Sequence, residues 1–206
     1  MQTVSTRFRW ALLVVLVSLA SLLLWLSPSE KTLGQVVKIV YLHGALSRVG
    51  MLGFVAAGAA GLIYLFRPRP SLAQWVWGLG LTAWLFWAAH FVVSMPATRL
   101  TWGPWVAWSE PRVVMTLQVL AAGAIVLTAS WLIRAPRFTA AAHLALGIAV
   151  ALLVVRTGVI RHPLNPIGES TSSTVQVFYG LLVLSLTTVG LLIAEAIADR
   201  QIERYS

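Results

Sequence analysis

The chain has 206 residues, of which 59% are hydrophobic and only 10% are charged. Its mean hydropathy of +0.84 is too high for the surface of a soluble globular protein. Because lipid offers no hydrogen bonds to an exposed backbone, apolar segments of this kind predict helices that cross a bilayer. We therefore expect an all-α, polytopic membrane protein in contact with the lipid bilayer.

Charge and cysteine content narrow the chemistry further. The formal net charge is +9, but the arginines stand at the ends of apolar runs and form no patch with interleaved aromatic residues. This pattern favours membrane topology and predicts no nucleic acid partner. The chain has no cysteine, which excludes disulfides, thiolate metal sites and thioether attachment of haem. Any haem would be non-covalent and held by histidine.

Six apolar segments are each long enough to cross a hydrocarbon core of roughly 30 Å. The first is too long, and too poor in small residues near its end, for a cleaved signal peptide. No polar linker divides the chain, so we expect one six-helix transmembrane domain over residues 1–206. In chain order the predicted helices are Trp10 to Leu26, Ile39 to Phe66, Leu72 to Val93, Val113 to Ile133, Ala140 to Ile160 and Val175 to Ile197.

Basic residues predict the orientation of this bundle. Arginine pairs lie in two short connections, at Arg67 and Arg69 and at Arg134 and Arg137, on the same side as the basic termini. The positive-inside rule makes that side cytoplasmic, so the N and C termini are predicted to be cytoplasmic. We expect a bacterial or archaeal cytoplasmic (inner) membrane, with a tryptophan-rich loop at about 94–112 facing the periplasm or exterior.

The topology also predicts the depths of the histidines. His43, His90 and His162 fall at the outer level, whereas His143 lies roughly 20 Å away in depth, near the cytoplasmic side. Two imidazoles that bind one haem iron approach it from opposite faces of the macrocycle. His43 and His162 are therefore the predicted axial ligands of the iron, and His90 is the reserve ligand.

Two further features accompany these histidines. Trp102, Trp105 and Trp108 flank a Gly-Pro turn in the outer loop, which predicts either an interfacial aromatic belt or, as we favour, an aromatic platform on which a planar ligand stacks. Arg48 lies roughly one turn inside a membrane helix, where a guanidinium is costly unless it is paired or snorkels to the interface. A haem propionate is one candidate partner for it, and simple snorkelling is the equal alternative.

Three segments resemble the cytochrome c assembly protein family, the tryptophan-rich haem-handling membrane proteins, and most of all its short six-helix haem-delivery member. They are Lys38 to His43, Trp102 to Trp108, and Arg161-His162-Pro163. The resemblance implies haem b presented on the tryptophan-rich loop, with His43 and His162 as axial ligands, and delivery of haem to a maturation partner. Where the family usually has an aspartate after its last tryptophan, this chain has Ser109 followed by Glu110.

The functional expectation is therefore a haem-binding protein of cytochrome c biogenesis, which transfers haem and is not an enzyme. Its partners would be haem and other membrane subunits of a maturation or redox complex. One alternative is a subunit that keeps a b-type haem for electron transfer in a respiratory complex. A second is a haem-free membrane anchor. Hydrolytic or nucleophilic chemistry has little support, because no acidic residue forms an intramembrane dyad with a histidine by spacing.

Overall fold

A computed structural model describes residues 6–31, 33–160, 167 and 170–201. The protein is all-α: the described residues form six helices long and apolar enough to span a membrane, and no named strand. It is a multi-pass membrane protein, as the sequence predicts. The helices are α1 (Thr6–Leu26), α2 (Val37–Phe66), α3 (Pro70–Trp102), α4 (Pro111–Ile133), α5 (Pro136–Arg156) and α6 (Ser173–Asp199).

Several helix bounds differ from the prediction: α1 and α5 each begin four residues earlier than predicted, and the ends of α3 and α5 also differ. Helix α3 does not stop near Val93 but continues through Pro96 to Trp102. The connection to α4 is therefore only residues 103–110, and the first part of the predicted loop at about 94–112 is helical. Helix α5 ends at Arg156, not at Ile160. Apolar residues after Arg156 extended the predicted segment, although they lie beyond the helix.

The two ends of the bundle differ in their connections. Residues 67–69 and 134–135 make short turns at one end, which we call the short-turn end. The last residues of α1, α3 and α5 and the first residues of α2, α4 and α6 lie at the opposite end, which we call the long-connection end. Helices α3, α4 and α5 each begin with proline, whose fixed φ suits the first helical turn and whose missing N–H is no loss there.

Helix α2 is the centre of the bundle and packs against α3, α5 and α6. Small residues allow the backbones to approach closely. A Cβ atom on Gly61 would stand 2.5 Å from the carbonyl oxygen of Ala140, and one on Gly53 would stand 2.9 Å from the Ala83 Cβ. On α5, a Cβ on Gly147 would stand 2.7 Å from the carbonyl oxygen of Phe54. These glycines are packing residues. For Gly53 and Gly61, which form a series with Ala57 at four-residue spacing, packing is also the role that the sequence pattern predicts.

Helix α1 packs on α6 and has little contact with α2. An ion-pair group joins α1 and α6 near the short-turn end. The guanidinium of Arg9 lies 2.7 Å from the Asp199 carboxylate and 3.4 Å from that of Glu195. Arg9 is only 7% exposed, so this charge is stabilised by partners inside the protein and not by water.

Candidate functional site

The candidate site is centred on His43 of α2 and His90 of α3, which contact each other directly. Their ring centroids are 4.2 Å apart and their planes are inclined by 31°. The Nδ1 atom of His43 lies 3.4 Å from the His90 carbonyl oxygen, and Nδ1 of His90 lies 3.2 Å from the His43 carbonyl oxygen. The two residues therefore form a reciprocal pair near the long-connection end, at one level as predicted.

These hydrogen bonds define the protonation pattern of both rings. A carbonyl oxygen only accepts, so each Nδ1 must carry hydrogen and donate, which makes Nε2 the accepting nitrogen of each neutral ring. The hydroxyl of Thr116 lies 3.5 Å from Nε2 of His90 and donates to it. The ring of Trp87 lies 5.2 Å from that of His90. His90 is 7% exposed and is thus enclosed by neighbours, whereas His43 is half-buried.

His43 fits the pattern of a metal-binding imidazole. Such a histidine almost always donates its second ring N–H to a carbonyl or carboxylate, which fixes the ring and raises the basicity of the coordinating nitrogen. The His90 carbonyl plays this part for His43. His90 does not fit as the second ligand of the same iron, because two stacked rings 4.2 Å apart leave no space for an iron between them. Its role toward His43 is positioning.

The three tryptophans of the motif lie at different positions relative to the histidine pair. Trp102 is the last residue of α3, twelve positions after His90, or about 18 Å further along the helix axis. Thr116, which contacts His90, is five positions into α4, so α4 begins only about 8 Å above the pair. The connection 103–110 descends between these heights and carries Trp105 and Trp108, which are 60% and 67% exposed.

The exposed indoles can stack with a planar ligand or lie at the headgroup level of a membrane. Trp108 comes three residues before α4 and so belongs to the lower part of the connection. It is the tryptophan of the motif whose place along the chain brings it nearest in height to His43. Whether the indoles form a platform or a membrane belt, they stand at graded heights above the histidine pair, because α3 extends further than α4 at this end.

Glu110 is a feature of the site whose burial was not predicted. It precedes Pro111 at the start of α4, is 1% exposed, and each carboxylate oxygen lies 3.3 Å from the backbone nitrogen of Ile160, which donates to it. The carboxylate thereby joins the tryptophan connection to the segment that leaves α5. In the sequence, Ser109 and Glu110 differ from the pattern of the resembling family, which is a signal at this position. The partner of Glu110 is Ile160, fifty residues away, and no local pattern predicts that contact.

The other predicted residues lie elsewhere or outside the description. Arg48 follows His43 by five positions, which is about 140° around the helix, and its guanidinium lies 5.3 Å from the ring centroid of Tyr179 on α6. The structure therefore does not bring Arg48 beside the His43 ring. His162, the second predicted iron ligand, lies outside the described residues.

His143 is buried far from this site. Its Nδ1 donates to the Thr139 carbonyl oxygen at 2.9 Å, and its ring fills the place that a Cβ atom on Gly80 would occupy. It therefore packs between α5 and α3. Among the described residues, no three histidine, aspartate or glutamate side chains group as ligands of a metal ion.

Comparisons with known proteins identify no family for this chain. No family model matches the chain, and a search of curated proteins finds no match.

Proposed function

We propose that this protein binds haem b non-covalently at the long-connection end and delivers it to a partner in cytochrome c biogenesis. The observation that carries the proposal is the hydrogen bond from Nδ1 of His43 to the His90 carbonyl oxygen. It fixes the imidazole in the tautomer whose Nε2 can coordinate iron. The resemblance of the His43, tryptophan and His162 segments to haem-handling proteins supports the same assignment.

In this proposal each part of the site has one task. His43 supplies one axial bond to the iron and His162 supplies the second. Trp108, Trp105 and Trp102 offer indole faces to the macrocycle, and their exposure leaves the cargo accessible to a receiving protein. The iron porphyrin is the cargo, and the chain contributes binding and orientation without any covalent step.

The orientation of the protein is part of the proposal. Arg67, Arg69, Arg134 and Arg137 all lie at the short-turn end, which favours a cytoplasmic position for that end. The tryptophan connection would then face the exterior of a bacterial or archaeal cytoplasmic membrane. A receiving maturation protein, or another membrane subunit, would meet the haem there.

The first test is the absorption spectrum of detergent-purified protein, oxidised and reduced, with haem quantified as its pyridine haemochrome. We expect a bis-imidazole spectrum in the wild type and loss of haem in both His43→Ala and His162→Ala. His143→Ala is the control, because it removes an imidazole near the opposite end. Full haem retention in folded His43→Ala protein would reject the proposal.

A second candidate function is a membrane subunit of a respiratory complex, either haem-free or with a permanently bound haem. The observation that favours the haem-free form is that Thr116 and the His43 carbonyl already occupy both ring nitrogens of His90. In this second candidate the reciprocal pair serves to hold α2 against α3. Wild-type protein that takes up no added haem would support the anchor. Bound haem that never transfers to an apocytochrome would support the electron-transfer subunit.

A further inference from the structure

A groove runs between α2 and α6 on the lipid-facing side of the bundle, and neither histidine of the pair lines it. It has a volume of about 110 Å³ and an almost wholly apolar wall. Helix α3 forms its floor. The residues that define it are Leu52, Gly53, Ala83, Phe86, Gly190 and Leu191.

The groove opens toward lipid and depends on a missing side chain. Leu52 on α2 and Leu191 on α6 are each 49% exposed and form its two rims. A Cβ atom on Gly190 would lie 3.5 Å from Val49 and 3.6 Å from Phe86, which are ordinary contact distances. Space for a hydrocarbon chain therefore remains where a larger residue at position 190 would stand.

A positive charge lies at the end of this groove nearer the long connections. Arg48 is exposed and precedes Leu52 by four residues, so the two side chains share one face of α2. Its guanidinium lies over the ring of Tyr179, 5.3 Å from the centroid, and so bridges from α2 to α6 above the groove. The Arg48 guanidinium and the groove rim at Leu52 therefore lie on the same face of α2.

The depth of Arg48 suits the boundary between headgroups and hydrocarbon. Helix α2 has 30 residues and is about 45 Å long, about 15 Å more than a typical hydrocarbon core. If the excess is shared by its two ends, the Cα of Arg48 lies about 9 Å below the boundary. An arginine at this depth extends its side chain toward the interface. Its guanidinium then approaches the level of lipid phosphates.

We propose that the α2–α6 groove binds one anionic phospholipid. The phosphate pairs with Arg48, and one acyl chain lies in the groove between Leu52 and Leu191. A guanidinium donates two parallel hydrogen bonds to the phosphate of either lipid class. In phosphatidylcholine the quaternary ammonium offsets the phosphate charge and repels Arg48, so a headgroup with a net negative charge binds more tightly. The site does not depend on haem binding, since neither His43 nor His90 lines the groove.

The test measures lipid retention by the full-length protein in neutral detergent. Native mass spectrometry counts bound phosphatidylglycerol and, separately, phosphatidylcholine with identical acyl chains. We expect one phosphatidylglycerol per protein, with about tenfold preference over phosphatidylcholine. Arg48→Gln should remove the preference, and Leu52→Trp, which fills the groove from its rim, should lower retention of both lipids.

Two matched variants control these changes. Arg156→Gln removes an exposed arginine at the same end of the bundle but on α5, and Leu152→Trp enlarges an α5 leucine that is also 49% exposed. Both should retain phosphatidylglycerol as the wild type does. Unchanged preference in Arg48→Gln, or unchanged retention in Leu52→Trp, overturns the proposal. So does a dimer that Leu52→Trp converts to a monomer with its lipid retained, because the groove would then hold a second copy of the chain.

Discussion

The carboxylate of Glu110 accepts the backbone N–H of Ile160, although fifty residues separate them in the chain. Glu110 is 1% exposed whereas Ile160 is 70% exposed, so a covered carboxylate holds a segment that lies at the surface. It ties the start of α4, and with it the connection that carries Trp105 and Trp108, to the segment that follows α5. Two connections at the long-connection end are therefore held together by one buried acid.

Replacing Glu110 tests this tie. We expect Glu110→Ala to lower the free energy of unfolding by about 1.5–3 kcal/mol, because the N–H of Ile160 loses a charged acceptor. Glu110→Gln should cost less, since its amide oxygen still accepts. Tryptophan fluorescence during SDS titration in mixed micelles measures the difference. Glu30→Ala is the control: Glu30 accepts the N–H of Leu33 but is exposed, and its loss should cost under about 1 kcal/mol. Equal effects of the two alanine variants would contradict the prediction.

His90 should act differently from His43 when each is replaced. In His90→Leu the backbone carbonyl that positions His43 remains, while the bonds to the His43 carbonyl and to Thr116 are lost. We expect unfolding free energy to fall by about 1–2 kcal/mol with haem retained. His43→Leu should lose haem. Thr116→Val removes only the hydroxyl and serves as a milder control. Loss of haem from folded His90→Leu protein would instead make His90 a ligand.

Gly80 provides a test of the packing around His143. A Cβ atom at position 80 would collide with the His143 imidazole, so Gly80→Ala should lower the unfolding free energy by about 1–3 kcal/mol. Part of this loss should return in the double variant with His143→Ala. Gly180→Ala on α6 is the matched control, because its Cβ meets no atom within 4 Å and alanine favours the helix by up to about 1 kcal/mol. A neutral Gly80→Ala variant would show that the ring moves freely aside.

The ion pairs of Arg9 should hold α1 against α6. Arg9→Gln leaves two carboxylates facing one another without their cation, and we expect a loss of about 1–3 kcal/mol in unfolding free energy. Asp199→Asn should cost less, because Glu195 still faces Arg9. Arg7→Gln, an exposed neighbour on the same helix, should change stability by less than about 0.5 kcal/mol. If Arg7→Gln destabilised the protein as much as Arg9→Gln, the stabilisation would come from the net positive charge of this helix end and not from the Arg9 ion pairs.

Hydropathy was sufficient to predict the six helices, because the length of an apolar run is set by the thickness of the bilayer. It failed for the last turns of α3. Ser94 and Pro96 interrupt the apolar run and resemble the start of a loop. A proline inside a helix removes one hydrogen bond, and here the helix continues beyond it to Trp102.

The sequence predicted that His43 and His90 lie at one depth in the bundle, but it did not predict that their side chains contact each other. Counting residues along α2 and α3 places His43 and His90 at one level, which their ring contact confirms. That the rings stack and exchange hydrogen bonds depends on the rotation of each helix about its axis. Close packing of Gly50 against Trp87 sets that rotation, and no local pattern contains it. The same holds for Glu110 and Ile160, whose pairing requires the whole bundle.

The ion pair between Arg9 and Asp199 can form only after nearly the whole chain has been synthesised. The partners are 190 residues apart, which at about 5–20 residues per second means that the ribosome adds Asp199 about 10–40 s after Arg9. During that interval Arg9 of α1 is already synthesised, but its partners Glu195 and Asp199 on α6 are not. The same side chain is thus a cation without its carboxylate partners in the growing chain and the centre of an internal ion-pair group in the finished protein.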